Sequence, residues 1–149
     1  MARRYSAIGA DTVADETSLL GVTTATTVRP RIYELIFGSP ATPADQAMEF
    51  YLQRFTAAGT ATAVTPHGLD PADPASLCTA GQAHTVEPTY TAGQVLLDFA
   101  INQQATFNWK VLAEYGLVLP STAANGAGLV CKEISGGSAA LRAQLFWEE

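Results

Sequence analysis

Two stretches near the end of this chain, QVLLDFAIN (Gln94 to Asn102) and AALRAQLFW (Ala139 to Trp147), alternate large apolar side chains with other residues at a period of two. In the first, Val95, Leu97, Phe99 and Ile101 fall on one side and Leu96, Asp98, Ala100 and Asn102 on the other. In the second, Leu141, Ala143, Leu145 and Trp147 share a side. A pleated strand puts residues i, i+2 and i+4 on a common face, so both stretches are read as strands. RIYELIFG, bracketed by Pro30 and the turn signal Gly38-Ser39-Pro40, is apolar on both faces and predicts a central strand. TFNWK alternates Phe107 and Trp109 against Asn108 and Lys110. A further apolar run follows the turn dipeptide Asn125-Gly126 in NGAGLVCKEI. SLLGVTTATTVRP and HTVEPTYTAG, rich in Thr and Val, read as extended chain or edge strands.

One stretch supports two readings. In PADQAMEFYLQRFTAAGTATAVTP (Pro43 to Pro66), Met48, Tyr51, Leu52 and Phe55 have helical spacing, and Thr42, Pro43 and Asp45 offer a helix start. The same residues also alternate, with Met48, Phe50 and Leu52 opposite Glu49, Tyr51 and Gln53. No other segment supplies a partner helix, so Met48 to Phe55 is read as a strand, reversing in a hairpin near Ala57-Ala58-Gly59. PHGLDPADPASLCTAGQAH holds three of the 8 prolines and reads as a long excursion with one helical turn at Pro74 to Leu77. Seven or eight strands with Gly/Pro turns predict an all-β fold, an antiparallel β-sandwich or jelly roll over residues 29–149. Residues 1–28 are read as an extended N-terminal arm with a possible edge strand.

Composition narrows the function. Charged residues make up only 15% of the chain, below the roughly 25% of ordinary soluble domains, which points to surface covered by other protein. A net charge of -6 with 8 Lys and Arg excludes a phosphate-binding footprint, so no nucleic acid is expected. No apolar run approaches the roughly 18 residues of a membrane helix, and MARRYSAIGAD lacks the apolar core of a secretory signal. The expectation is a soluble product made in the cytoplasm, with no membrane partner. Arg3 and Arg4 read either as a solvated tail or, with Tyr5, Ile8, Leu19 and Leu20, as an arm docking on a partner. Cys78 and Cys131 lack metal spacing. They are read as two reduced, buried thiols, bonded only if the fold brings them together.

Chemistry-bearing patterns are sparse, and catalytic, cofactor and metal residues are all expected to be none. His67 and His84 sit in the excursion and read as loop histidines, the alternative being a metal site with Asp70, Asp73 or Glu87. Neither Gly38-Ser39-Pro40 nor Gly136-Gly137-Ser138 has nucleophile-elbow spacing, and NGAGLVC lacks a third glycine and a following helix. Asp70 and Asp73 read as turn aspartates. Asp98 either faces solvent or pairs with Arg54, Lys110 or Arg142. Trp109 and Trp147 are either core or, on an exposed face, a ligand platform.

The order IYELIFGSPATPADQAMEFYLQRFTAAGTATAVTPHGLDPADPAS, then LLDFAINQQATFNWK and a terminal LFWEE, resembles the cement, or decoration, proteins of tailed-phage capsids over Arg29 to Glu149. The resemblance implies a β-sandwich subunit on the virion's capsid surface. Its partners would be the major capsid protein and its own copies as a homo-oligomer, with no catalytic residues to carry over. Two other readings stay open: a carbohydrate- or receptor-binding sandwich from a phage tail or cell surface, and an enzyme without a recognised signature.

Overall fold

The structure, a computed structural model, describes residues 2–149. It is an all-β sandwich of two six-stranded antiparallel sheets. The strands are β1 (Arg4–Val13), β2 (Ser18–Thr23), β3 (Arg31–Gly38), β4 (Ala47–Ala57), β5 (Thr60–Val64), β6 (His67–Gly68), β7 (Thr79–Val86), β8 (Thr89–Asn102), β9 (Phe107–Lys110), β10 (Leu117–Val118), β11 (Gly126–Ile134) and β12 (Ala139–Glu148). The first sheet runs β10-β3-β12-β1-β6, with β9 also on β3; the second runs β5-β7-β2-β11-β4-β8. Consecutive strands often change sheet. β11 and β12, joined by four residues, lie in different layers.

Met48 to Phe55 is a strand, as the alternation predicted: Met48, Phe50 and Leu52 face the core. The hairpin expected at Ala57-Ala58-Gly59 does not form, because β4 pairs with β8 and β11 while β5 pairs with β7. Residues 47–64 and 79–102 instead form one long antiparallel ribbon, from Ala47 opposite Asn102 to Val64 opposite Ala80. The ribbon bends at Ala58-Gly59 and Glu87-Pro88. Gly59 takes φ +70, and a Cβ there would collide with the Val86 carbonyl oxygen, so the bend requires glycine. The bend carries the two halves of the ribbon to opposite flanks of the β2–β11 pair.

The core lies between the sheets. Trp147, Leu145, Ala143 and Leu141 of β12 point inward in strict alternation, as read from the sequence. At one end Phe37, Phe50, Phe99 and Phe107 form an aromatic cluster, with Phe99 and Phe107 stacked at 3.8 Å between ring centroids and 5° between planes. Aromatic pairs of this kind add about 0.5–1.5 kcal/mol beyond the area they bury. The stack ties β8 of one sheet to β9 of the other.

The segment expected as an N-terminal arm is built into both sheets. β1 pairs with β12 along its length, from Arg4 opposite Glu148 to Val13 opposite Ala139. Tyr5, Leu19 and Leu20 are buried in the chain's own core, so they are not a docking surface; Arg3, Arg4 and Ile8 remain exposed. A β-bulge between β2 and β11 explains how adjacent Leu19 and Leu20 both reach the core. β2 itself is central, not an edge. Pro74 to Leu77 makes no helical turn; the single helical element among the described residues is a 3-10 turn at Ala113–Tyr115.

Gly126, read from the sequence as a turn residue, and Gly128 both lie within β11. Gly126 and Gly128 face away from the sandwich core, and a Cβ at either would collide with the ring of Phe55 or the hydroxyl of Tyr90. Both rings therefore rest directly on the sheet. The Tyr90 hydroxyl bonds Ser18 Oγ at 2.6 Å, and the Glu87 carboxylate accepts the Ser18 N–H at 3.0 Å. These contacts hold side chains from the ribbon's bend over the outer face of β2 and β11.

Candidate partner-binding surface

Large apolar side chains that remain exposed mark surface that a neighbour can cover. Leu69, Leu77, Leu112 and Tyr115 are 49%, 56%, 66% and 71% exposed. These four sit at the same end of the sandwich, whereas Ile8, Val86 and Val95, also exposed, lie along β1, β7 and β8. Val111 N–H donates to Tyr33 O, Leu69 N–H donates to Arg4 O, and Leu77 N–H donates to Glu149 Oε2, so each loop is attached to the end of a neighbouring strand. Between them the first sheet presents Arg31, Glu148 and Arg4, which stand side by side across β3, β12 and β1. With strands about 4.8 Å apart, the rim from the 111–116 loop to Leu69 spans roughly 20 Å.

Arg3 and Arg4 are paired but accessible. Arg4 Nε lies 3.4 Å from Glu148 Oε2 and its guanidinium 5.9 Å from the Tyr33 ring centroid; Arg3 Nε lies 3.9 Å from Asp73 Oδ1. Such exposed pairs contribute little to folding, so the arginines can exchange partners at small cost. Arg3, Arg4, Leu69, Asp70 and Asp73 line an open hollow of about 610 Å³ beside them. Asp70 acts as a turn aspartate, accepting the Ala72 N–H at 2.9 Å.

A half-buried carboxylate latch fixes the rim. The Glu149 side chain accepts hydrogen bonds from Ser76 Oγ, from Cys78 N–H at 3.1 Å, from Leu77 N–H at 3.0 Å and from Trp147 Nε1–H at 3.0 Å. Burial alone would raise the Glu149 pKa, yet these four donors outweigh it and hold the carboxyl below its ordinary value. Burial, together with the same carboxylate, pushes the Cys78 thiol up. Burial, with Asp15 and Glu16 nearby, pushes Cys131 up to about 12. Both cysteines are free and buried.

The remaining sequence candidates are scattered. His67 lies in β6 and is exposed; His84 lies in β7, in the other sheet, and its Nδ1 is buried without a hydrogen-bond partner among the described residues. Both are therefore strand residues, contrary to the loop reading. Asp98 is exposed on β8, while Lys110 pairs with Glu34 at 3.1 Å and Arg54 donates to Val118 O and Gln94 Oε1. Trp147 is core and Trp109 packs half-buried against it. Sequence reasoning offered Arg3 and Arg4 as docking residues and did not single out Leu69, Leu77, Leu112 and Tyr115, which are exposed at the same end. The apolar residues inside polar loops at 69, 77 and 112 were the available signal.

The chain matches no protein-family model, no curated protein and no solved structure.

Proposed function

We propose that this protein is a structural subunit that docks, through the rim bearing Leu69, Leu77, Leu112 and Tyr115, onto the outer surface of a tailed-phage capsid, and stabilises it as a cement protein. One observation carries the reading: apolar side chains exposed at one end, flanked by Arg3, Arg4 and Arg31, on loops held by hydrogen bonds to strand ends. Preorganised loops lose little entropy on binding, and a modest contact repeated over a symmetric lattice adds up to strong reinforcement. The sequence resemblance to decoration proteins points to the same partner, the major capsid protein. The carbohydrate-binding alternative rests on Tyr115, the one largely exposed aromatic among the described residues, which alone makes a poor sugar platform.

Co-sedimentation of the purified protein with empty, expanded phage shells tests the proposal. The intact protein is expected to saturate the shells. Leu112→Asp together with Tyr115→Asp should weaken binding at least tenfold while leaving the melting temperature of the free subunit nearly unchanged. Absence of binding to shells, or equal binding by the double variant, overturns it.

A further inference from the structure

A sheet edge offers unpaired backbone N–H and C=O groups to any extended chain, and most proteins block such edges. Here nearly every edge carries a device. β6 and β10 are two residues long, and β9 is four residues long and carries Lys110. Along β1, the Ala10 N–H is taken by Gln82 Oε1 at 2.7 Å and the Thr12 N–H by Asp11 Oδ1 at 2.7 Å. β8 is broken by register shifts, by Gly93 at φ +74 and by the exposed Asp98. β5 differs. It is the terminal strand of the second sheet and largely exposed, its one register shift against β7 falls at its start between Thr60 and Thr62, and no Asp, Glu, Lys or Arg occurs from Phe55 to Leu69.

We propose that the free edge of β5 pairs, antiparallel and about a two-fold axis through Thr62, with β5 of a second copy of this chain. The chemistry of the edge selects an extended strand, and the side chains select this one. Thr60-Ala61-Thr62-Ala63-Val64 reads nearly the same in both directions, so self-pairing sets Thr62 opposite Thr62, Ala61 opposite Ala63 and Thr60 opposite Val64. Threonine pairs suit a strand interface, and small alanines leave the backbones free to approach. In a chain of net charge -6, an uncharged edge is also where two copies approach with least repulsion. The contact is isologous, so it closes at two copies and does not propagate into a filament. A strand of five residues makes a small interface, which places the association in the weak, transient class, with a dissociation constant of about 10 μM to 1 mM. This inference does not depend on the capsid reading.

Sedimentation velocity from about 10 μM to 1 mM, on the full chain, reads the result. The intact protein is expected to pass from monomer to dimer across that range. Thr62→Lys and Thr62→Glu each set like charges across the two-fold axis and should each stay monomeric, since Thr62 is exposed and the subunit fold is untouched. An equimolar mixture of the two variants should dimerise again, because Lys then faces Glu. A control, Asn108→Lys on the exposed surface of β9, should dimerise like the parent. A parent that stays monomeric at 1 mM, variants that dimerise alone, or a mixture that fails to recover association each overturns the proposal. Strand capture by a capsid protein in place of a second copy would appear as shell binding lost in the Thr62 variants without any parent dimer, and it also counts against it.

Discussion

Replacing Glu149 should loosen one end of the sandwich by an amount that can be worked from its contacts. The carboxylate accepts from two side chains and two backbone N–H groups. Hydrogen bonds to a charged group contribute about 1.5–3 kcal/mol each when fully buried, but Glu149 is only partly buried and solvent competes for it. Taking about 1 kcal/mol per contact and subtracting about 1 kcal/mol for side-chain entropy released, Glu149→Ala should cost about 3 kcal/mol. For a chain of this length that lowers Tm by about 6–12 °C. Glu149→Gln keeps one acceptor oxygen but turns an amide N–H toward at least one donor, so its cost should be smaller, about 1–2 kcal/mol.

The pH dependence has a fixed sign. The folded-state pKa of Glu149 is held below its unfolded value, so its contribution is complete above about pH 4.5 and is lost as pH falls through the folded value. The stability gap between the parent and Glu149→Gln should therefore be widest at neutral pH and narrow progressively as pH falls below the ordinary carboxylate value and through the lowered folded one. Thermal unfolding followed by circular dichroism at pH 7 and pH 3.5 measures it, and amide exchange at Leu77 and Cys78 reports the loop directly. A Tm loss under about 2 °C for Glu149→Ala, or unchanged protection of those two amides, would refute the latch.

Two further outcomes follow from the fold. Gly128→Ala drives a methyl group into the Tyr90 hydroxyl, so it should cost about 1–3 kcal/mol by denaturant titration and break the Ser18 bond, whereas a neutral substitution would mean that Tyr90 does not rest on β11. Deleting residues 2–13 removes β1 and with it Tyr5, Ala7 and Val13 from the core. The truncated chain should lose the cooperative thermal transition, and a folded truncation would restore the arm reading.

How legible each element was depended on the size of its inward side chains. β12 could be read because Leu141, Leu145 and Trp147 outline the face that Ala143 shares. β1 could not, because its inward positions include Ala7 and Gly9, too small to outline a hydrophobic face, while Ile8 points out. Gly126 read as turn punctuation because no local pattern announces that Phe55 and Tyr90, from a different part of the chain, will lie over the glycines of β11. Pro74 to Leu77 had the composition of a helical turn. The N–H groups of Leu77 and Cys78 are instead satisfied by Glu149, more than 70 residues away, and Cys78 also donates to Ser76 Oγ, so no helix is needed to pair them. The apolar rim left only scattered signals in the sequence for a related reason. Isolated leucines in polar loops gain meaning only when the topology brings the loops to one end.

The two proposed contacts lie on different sheets, and this has a physical consequence for assembly. The rim is carried by the first sheet and by the loops attached to its strand ends, while β5 is the outer strand of the second. A neighbour bound at one surface need not cover the other, so the two free energies should add with little coupling. A weak two-fold contact between copies then gains from the first binding event. Two subunits held on a common surface with their β5 edges in reach meet at an effective concentration near the millimolar range, enough to close an interface that stays open in dilute solution. Thr62→Lys should accordingly reduce the cooperativity of shell binding while leaving the affinity of an isolated subunit close to that of the parent. Leu112→Asp with Tyr115→Asp should do the reverse. A binding isotherm in which both variants lose affinity and cooperativity together would mean that the surfaces are one interface and that the division between rim and edge is wrong.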